Sequence, residues 1–316
     1  MNKRALGRSG LQIAPLVLGG NVFGWTADEK TSFELLDGFV AAGLNAVDTA
    51  DIYSAWAKGN QGGESETIIG KWFQRNPGNR AKVVLITKVG WEFSPESGGL
   101  SERWVTQAVE DSLRRLQTDT IDLYLSHRPD PHTPYEETLA AFEKLLRAGK
   151  IRAVGASNLD AGQLAESLAV ASAHNLPRYD VLQPEYNLYD RASFDGALRD
   201  LTMREEIGVI TYFSLARGFL SGKYRTTDDL GKSPRGAGIA RYLDARGMRI
   251  LAALDQVAEG LDAKPAEVAL AWLMARPGVT APIASVTSRS QLDNLVAATH
   301  LSLSAEQIAV LDQASN

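Results

Sequence analysis

The chain has no cysteine, only four histidines among its 316 residues, and no run of 18 apolar residues. Without cysteine there is neither a disulfide nor a thiolate metal site. His127, His132, His174 and His300 are scattered without paired ligand spacing, so no metal centre is expected. The missing apolar run argues against a membrane helix. No apolar stretch follows the basic residues at the N-terminus, so no export signal is read there and the expected location is the cytoplasm. Positive charge is also short: 33 Lys and Arg stand against 38 Asp and Glu, a net charge of −5, and no basic stripe offers a footprint for nucleic acid.

Three motifs are missing as well. No Gly-x-Gly-x-x-Gly follows a strand, so a dinucleotide would not be held by a Rossmann turn. Gly231-Lys232-Ser233 resembles the tail of a phosphate loop, but Thr226 occupies the place of its first glycine. There is no Gly-x-Ser-x-Gly nucleophile elbow.

What is present is an alternation of short apolar runs with segments of helical spacing. A hairpin is expected over residues 3–14, around Gly7-Arg8-Ser9-Gly10, placed to cap the closed bottom of a barrel. Eight strands follow: Pro15 to Leu18, Leu44 to Asp48, Val83 to Lys88, Ile121 to His127, Ile151 to Ala156, Tyr179 to Gln183, Gly208 to Tyr212 and Val279 to Ala284. Helices are expected at 30–42, from Gly63 onward, at 101–116, 134–148, 160–174 and 193–206, with a last one at 265–275. This order predicts a single (β/α)8 barrel domain over residues 1–316. A Gly-rich, basic stretch from about 213 to 247 breaks the rhythm and is expected to be a mobile lid.

The strand ends carry the chemistry. Asp48 closes one strand, Tyr53 follows on the loop, and Lys88 and His127 close the next two. A tyrosine is a poor acid at neutral pH, with an ordinary pKa of roughly 10. A nearby ammonium would lower it, so Lys88 is expected to acidify Tyr53 while Asp48 holds Lys88 in place. His127 has the nitrogens to orient a carbonyl oxygen. Four such groups describe a proton donor beside a polarised carbonyl, and with neither metal nor thiol the reductant would be a nicotinamide. Gly20 and Asn21 end the first strand where a missing Cβ permits close approach. Ser157, Asn158 and Gln183 could recognise an amide, Tyr212 could stack on a flat ring, and Leu215 to Lys223 suit a pyrophosphate. Trp25, Trp56, Trp91 and Phe93 follow the first three strands and could line an apolar substrate cleft.

Taken in order, Asp48-Thr49-Ala50-Asp51-x-Tyr53, Gly63-Glu64-Ser65-Glu66, Thr87-Lys88, Ser126-His127-Arg128-Pro129-Asp130, Gly155-x-Ser157-Asn158, Gln183-Pro184-Glu185-Tyr186-Asn187 and Tyr212 through Tyr224 resemble the motifs of the aldo-keto reductase superfamily, in its bacterial branch with a long loop after the seventh strand. The resemblance implies a barrel binding extended NADP(H) and reducing a small-molecule aldehyde or ketone, with Tyr53 as general acid, Asp48 and Lys88 tuning it and His127 placing the carbonyl. It implies cofactor contacts from Gly20, Asn21, Ser157, Asn158, Gln183, Tyr212, Ser214, Leu215, Arg217, Gly218, Leu220, Lys223, Ser285, Thr287, Arg289, Gln291 and Asn294. Many members also have a Lys-Ser pair after the last strand, with an Arg further on, to grip the 2′-phosphate. Ala284 stands at the Lys place here, and Arg289 lies one residue before the Arg place. NADPH is therefore the expected cofactor with NADH as the alternative, and a monomer or weak homo-oligomer is expected. Two other functions fit parts of the pattern: a cofactor-holding sensor subunit without turnover, and a lyase using Lys88 as a Schiff base, disfavoured because Asp48 would raise the lysine pKa.

Overall fold

The computed structural model describes residues 2–92, 97–234 and 236–316. Strands β1 (Arg4–Ala5) and β2 (Gln12–Ile13) pair antiparallel as the N-terminal hairpin. Eight parallel strands then close a barrel: β3 (Val17–Gly19), β4 (Ala46–Asp48), β5 (Val84–Val89), β6 (Ile121–Ser126), β7 (Ile151–Ser157), β8 (Val181–Gln183), β9 (Gly208–Thr211) and β10 (Ala281–Ala284). Between them run α1 (Glu29–Ala41), α2 (Glu64–Arg75), α3 (Glu102–Leu116), α4 (Tyr135–Arg147), α5 (Ala161–His174), α6 (Ala197–Arg204), α7 (Ala245–Gly260) and α8 (Pro265–Ala275), and α9 (Arg289–Ala298) and α10 (Ala305–Ala314) end the chain. The fold is the (β/α)8 barrel with its hairpin.

Local chemistry sets the helix starts. Asp28 accepts from Thr31 N at 2.8 Å, Ser101 caps α3, and Asp160 with Gln163 forms a reciprocal box at α5. Pro134 stands one place earlier than expected, as the cap of α4, where its missing N–H costs nothing. Three helices escaped the sequence reading. Helix α7 starts at Ala245, inside the tail of the expected loop, and α9 and α10 follow the helix expected to be last.

The barrel interior is filled by Val17, Ala46, Ile86, Leu123, Leu125, Ala153, Val181, Ile210, Ala281 and Ile283, with Leu6 and Ile13 of the hairpin in the same cluster. Gly7 lies against the backbone of Asp180 and Gly208, at the start of β8 and β9, so the hairpin closes the N-terminal end of the barrel. A larger cluster between strands and helices includes Leu36, Phe39, Ile69, Trp72, Val105, Leu139, Phe142, Leu254 and Trp272.

Side chains alternate along a strand, so an inward row continues at every second residue. From Ala46 the row reaches Asp48; from Ile86, Lys88; from Leu125, His127; from Ala153, Ser157; from Val181, Gln183; from Ile210, Tyr212; from Ile283, Ser285. The polar groups are thus the last layer of the barrel's own filling, at the C-terminal ends of the strands.

Candidate active site

That last layer forms the floor of a cleft of about 880 Å³, lined by Asp48, Tyr53, Trp56, Trp91, His127, Arg128, Ser157, Asn158, Gln183, Tyr212 and the stretch from Phe213 to Gly218, among others. Its size is that of an ordinary small-molecule site.

Lys88 is wholly buried, and its Nζ donates to Asp48 Oδ2, Thr49 O and Tyr53 Oη, each at 2.8 Å. Three acceptors match the three N–H bonds of an ammonium. One donor is thereby fixed on the phenol oxygen, so the phenol's own proton points elsewhere. Tyr53 Oη lies 3.2 Å from Asp48 Oδ2, and Asp48 Oδ1 accepts from Gln183 Nε2 at 2.8 Å. The second half of the layer is linked to the first. Ser157 Oγ donates to Gln183 O at 2.8 Å, Asn158 Nδ2 donates to His127 O at 2.8 Å, and Tyr212 Oη donates to Asn158 Oδ1 at 2.7 Å.

The electrostatics differ from expectation in one respect. Burial, followed by the Asp48 carboxylate, holds the Tyr53 phenol well above its ordinary pKa, so Lys88 gives no net acidification in the resting site. The physical reason is that Asp48 neutralises Lys88 within hydrogen-bond range and also touches the phenol. Burial brings Lys88 below its ordinary value, against the pull of Asp48. His127 is held well below its ordinary value by burial, then by Lys88 and Arg128, so its imidazole is neutral at neutral pH. Its Nδ1 is buried without a partner.

Strain gathers here too. Ser54, Asn158, Phe213, Ala216 and Arg217 all have left-handed backbone, at φ values of 73°, 64°, 49°, 46° and 59°. Such conformations cost a non-glycine residue about 1–3 kcal/mol and persist where the surroundings fix them.

Of the residues singled out from sequence, the structure brings Asp48, Tyr53, His127, Asn21, Ser157, Asn158, Gln183, Tyr212, Ser214, Leu215, Arg217, Gly218, Ser285, Trp56 and Trp91 onto the cleft wall. Lys88 stands behind that wall. Trp25 supports Trp56 edge-on at 5.8 Å between centroids. Gly20 faces the protein itself: a Cβ there would meet Ser65 Oγ at 2.8 Å. Leu220 is in the core, and Lys223 is exposed. Thr287, Arg289, Gln291 and Asn294 sit at and along α9, beyond the cleft. Gln291 Oε1 accepts from Thr287 N, Arg289 Nε donates to Asp293 Oδ1 at 2.8 Å, and Asn294 Oδ1 accepts from Lys264 Nζ. Phe93 lies outside the described residues. Arg128, Glu185 and Ile52 also line the cleft, without a role read from sequence. Their adjacency to His127, Gln183 and Tyr53 was the available signal.

The stretch expected as a basic lid is folded into short 3-10 turns at Ala216–Ser221, Thr227–Lys232, Gly236–Gly238 and Ala240–Tyr242. Tyr224, Ile239 and Tyr242 anchor it in the core. Among its described cations, Arg225 pairs with Asp255, Lys232 with Asp229 and Arg241 with Asp190.

Among the described residues no group of three or more His, Asp or Glu could hold a metal ion, and no helix is long and apolar enough to cross a membrane. Residues 15–316 match the family model described as "Aldo/keto reductase family". The chain is 37% identical over 97% of its length to the uncharacterized oxidoreductase YrpG of Bacillus subtilis (strain 168), of which 94% is covered. It is 32% identical to the aldo-keto reductase AFTS1 of Alternaria alternata, over 98% of this chain and 91% of that one. A probable voltage-gated potassium channel subunit beta of Oryza sativa subsp. japonica is also 32% identical, over 92% and 89%. With its eight-stranded barrel and the cluster at the barrel mouth, the chain belongs to the aldo/keto reductase family of oxidoreductases.

Proposed function

We propose that this protein reduces aldehydes or ketones with NADPH, Tyr53 giving the proton to the carbonyl oxygen. The observation that carries the reading is the Lys88 ammonium fixed at 2.8 Å from Tyr53 Oη with all three of its hydrogens directed. A raised phenol pKa keeps the proton on Tyr53 until a carbonyl oxygen gains charge. As the proton leaves, Lys88 already donates to the phenolate that forms, without reorganisation. Neutral His127 offers a hydrogen bond to the same oxygen without adding a competing positive charge.

The residues present fit a nicotinamide cofactor. Asn158 supplies amide-matching polarity, Tyr212 a flat ring beside it, and Arg217 a cation next to Gly218, whose positive φ opens the backbone. When bound, the cofactor supplies the hydride that reduces the carbonyl carbon. We assign its adenosine end to Ser285 and the first turns of α9, where Arg289 would meet a 2′-phosphate in exchange for Asp293. Lys223, exposed and with its Cε 3.9 Å from where a Cβ on Gly218 would stand, does not line the cleft and is the weaker candidate for the pyrophosphate.

The decisive experiment is NADPH consumption by the purified protein across aliphatic, aromatic and sugar carbonyls, beside the dissociation constants of NADPH and NADH. Turnover with tighter NADPH binding is expected. Equal affinity for the two cofactors would remove the phosphate role of Arg289. Tight binding with no turnover on any carbonyl would favour the cofactor-holding sensor, a reading kept alive by the relative named as a channel subunit. The lyase reading loses ground on geometry rather than on pKa: Lys88 is lowered as a nucleophile requires, but it is wholly buried, fully hydrogen-bonded and does not line the cleft.

A further inference from the structure

Resting on the carbonyl-reductase reading, we infer that Arg128 selects substrates that carry a carboxylate at the end remote from the reacting carbonyl. Two cations line the cleft among the described residues, Arg128 and Arg217, and Arg217 stands on the strained turn assigned to the cofactor. Arg128 stands on the other side, next to His127. The indole of Trp91 connects the two: its ring centroid is 5.1 Å from that of His127, and the Arg128 guanidinium lies 5.1 Å from the same ring system. A planar carbonyl compound with its oxygen on Tyr53 and His127 and its body along Trp91 and Trp56 brings its far end to the guanidinium.

The arginine is held for this use. The guanidinium lies over the Trp91 ring, a cation–π contact that holds it near the cleft. Its loop is pinned by Asp130, which accepts from Leu100 N at 2.7 Å, His132 N at 2.9 Å and Thr133 Oγ1 at 2.7 Å. Among the described residues its one ion pair is with Glu92 Oε1 at 2.8 Å, a carboxylate that is itself mostly in water. Such a pair contributes little to stability, and a substrate carboxylate that displaces Glu92 forms the same charge-assisted contact in a drier place. The exposed aromatic faces of Trp56 and Trp91, 50% and 39% accessible, match a flat body between the carbonyl and the anion. In a chain of net charge −5, an anionic substrate needs such a local cation.

The test compares 4-formylbenzoate with its neutral methyl ester, as the ratio of their kcat/KM values with NADPH. A ratio of at least about ten is expected in the natural protein, as one charge-assisted contact supplies. Arg128→Met should collapse that ratio about tenfold, mainly through KM of the acid, and raising the salt concentration should weaken it in the same direction. Glu92→Gln, on an exposed side chain with little effect on folding, should raise the ratio by removing the competitor. A ratio near one in the natural protein, or a preference that survives Arg128→Met, would overturn the role of Arg128 while leaving carbonyl reduction standing. If neither compound is reduced while other carbonyls of the panel are, the role of Arg128 falls alone; if no carbonyl of the panel is reduced, the carbonyl-reductase reading itself fails.

Discussion

Gln183 Nε2 donates to Asp48 Oδ1 at 2.8 Å across 135 positions of sequence, so the amide at the end of β8 holds the carboxylate at the end of β4. Both groups are buried. Gln183 therefore orients Asp48, and through it Lys88 and Tyr53, from the side of the cleft assigned to the cofactor. Gln183→Leu would leave Oδ1 buried without a donor, a loss of about 1–3 kcal/mol in unfolding free energy. Denaturant titration reads it, and a change under about 0.5 kcal/mol would show that Asp48 finds another donor.

Tyr53→Phe removes the phenolic hydroxyl and leaves the ring in the wall. Carbonyl reduction should fall about 10²- to 10⁴-fold in kcat, the range of a lost general acid. The NADPH dissociation constant should move by less than about threefold. Retained turnover with lost cofactor affinity would assign Tyr53 to binding instead.

Lys88→Met should be costly in two separable ways. Removing one partner of a buried pair leaves the Asp48 carboxylate without its counter-ion, a penalty of about 3–5 kcal/mol. The double change Asp48→Asn with Lys88→Met should recover much of that stability without recovering turnover, since the ammonium on Tyr53 Oη is still missing. Recovery of both would mean that the pair serves folding only.

His127 gives a pH prediction. Unfolded, it titrates near about 6.5; folded, its value is well below that. The unfolded chain therefore binds the extra proton first, so this contribution to stability is complete above about pH 6.5 and is lost as pH falls from there towards the folded value. Comparing natural protein with His127→Gln at pH 7.5 and pH 5.5, the natural protein should lose more unfolding free energy. An identical loss in both would locate the titration elsewhere.

Asp51 runs the other way. Both of its carboxylate oxygens are buried without a partner, and burial, then Glu66, push its pKa well above the ordinary value. The folded state keeps the proton while the unfolded state gives it up above about pH 4, so the group costs stability as pH rises. Asp51→Asn should raise the melting temperature at pH 8 and leave it nearly unchanged at pH 4. A lower melting temperature at pH 8 would show a partner that Asn cannot satisfy.

The sequence by itself determined the barrel, because eight apolar runs separated by helical spacing admit few closed arrangements, and it determined which residues end the strands. Parity did much of this: Asp48, Lys88, His127, Gln183 and Ser285 each fall two positions after an inward apolar residue, so their direction is fixed by the same alternation that fills the core. Helices α7, α9 and α10 were missed because α7 emerges from a Gly-rich stretch and the other two lie past the last strand, where the β/α rhythm gives no cue. Only the tertiary structure decided which partner each polar group meets. Residue spacing does not tell that Gln183 spends its amide on Asp48, that Arg225, Lys232 and Arg241 are already paired, or that burial outweighs the ammonium at Tyr53. Hydrogen-bond partners and solvent access are set where distant strands close the barrel, and local sequence carries neither.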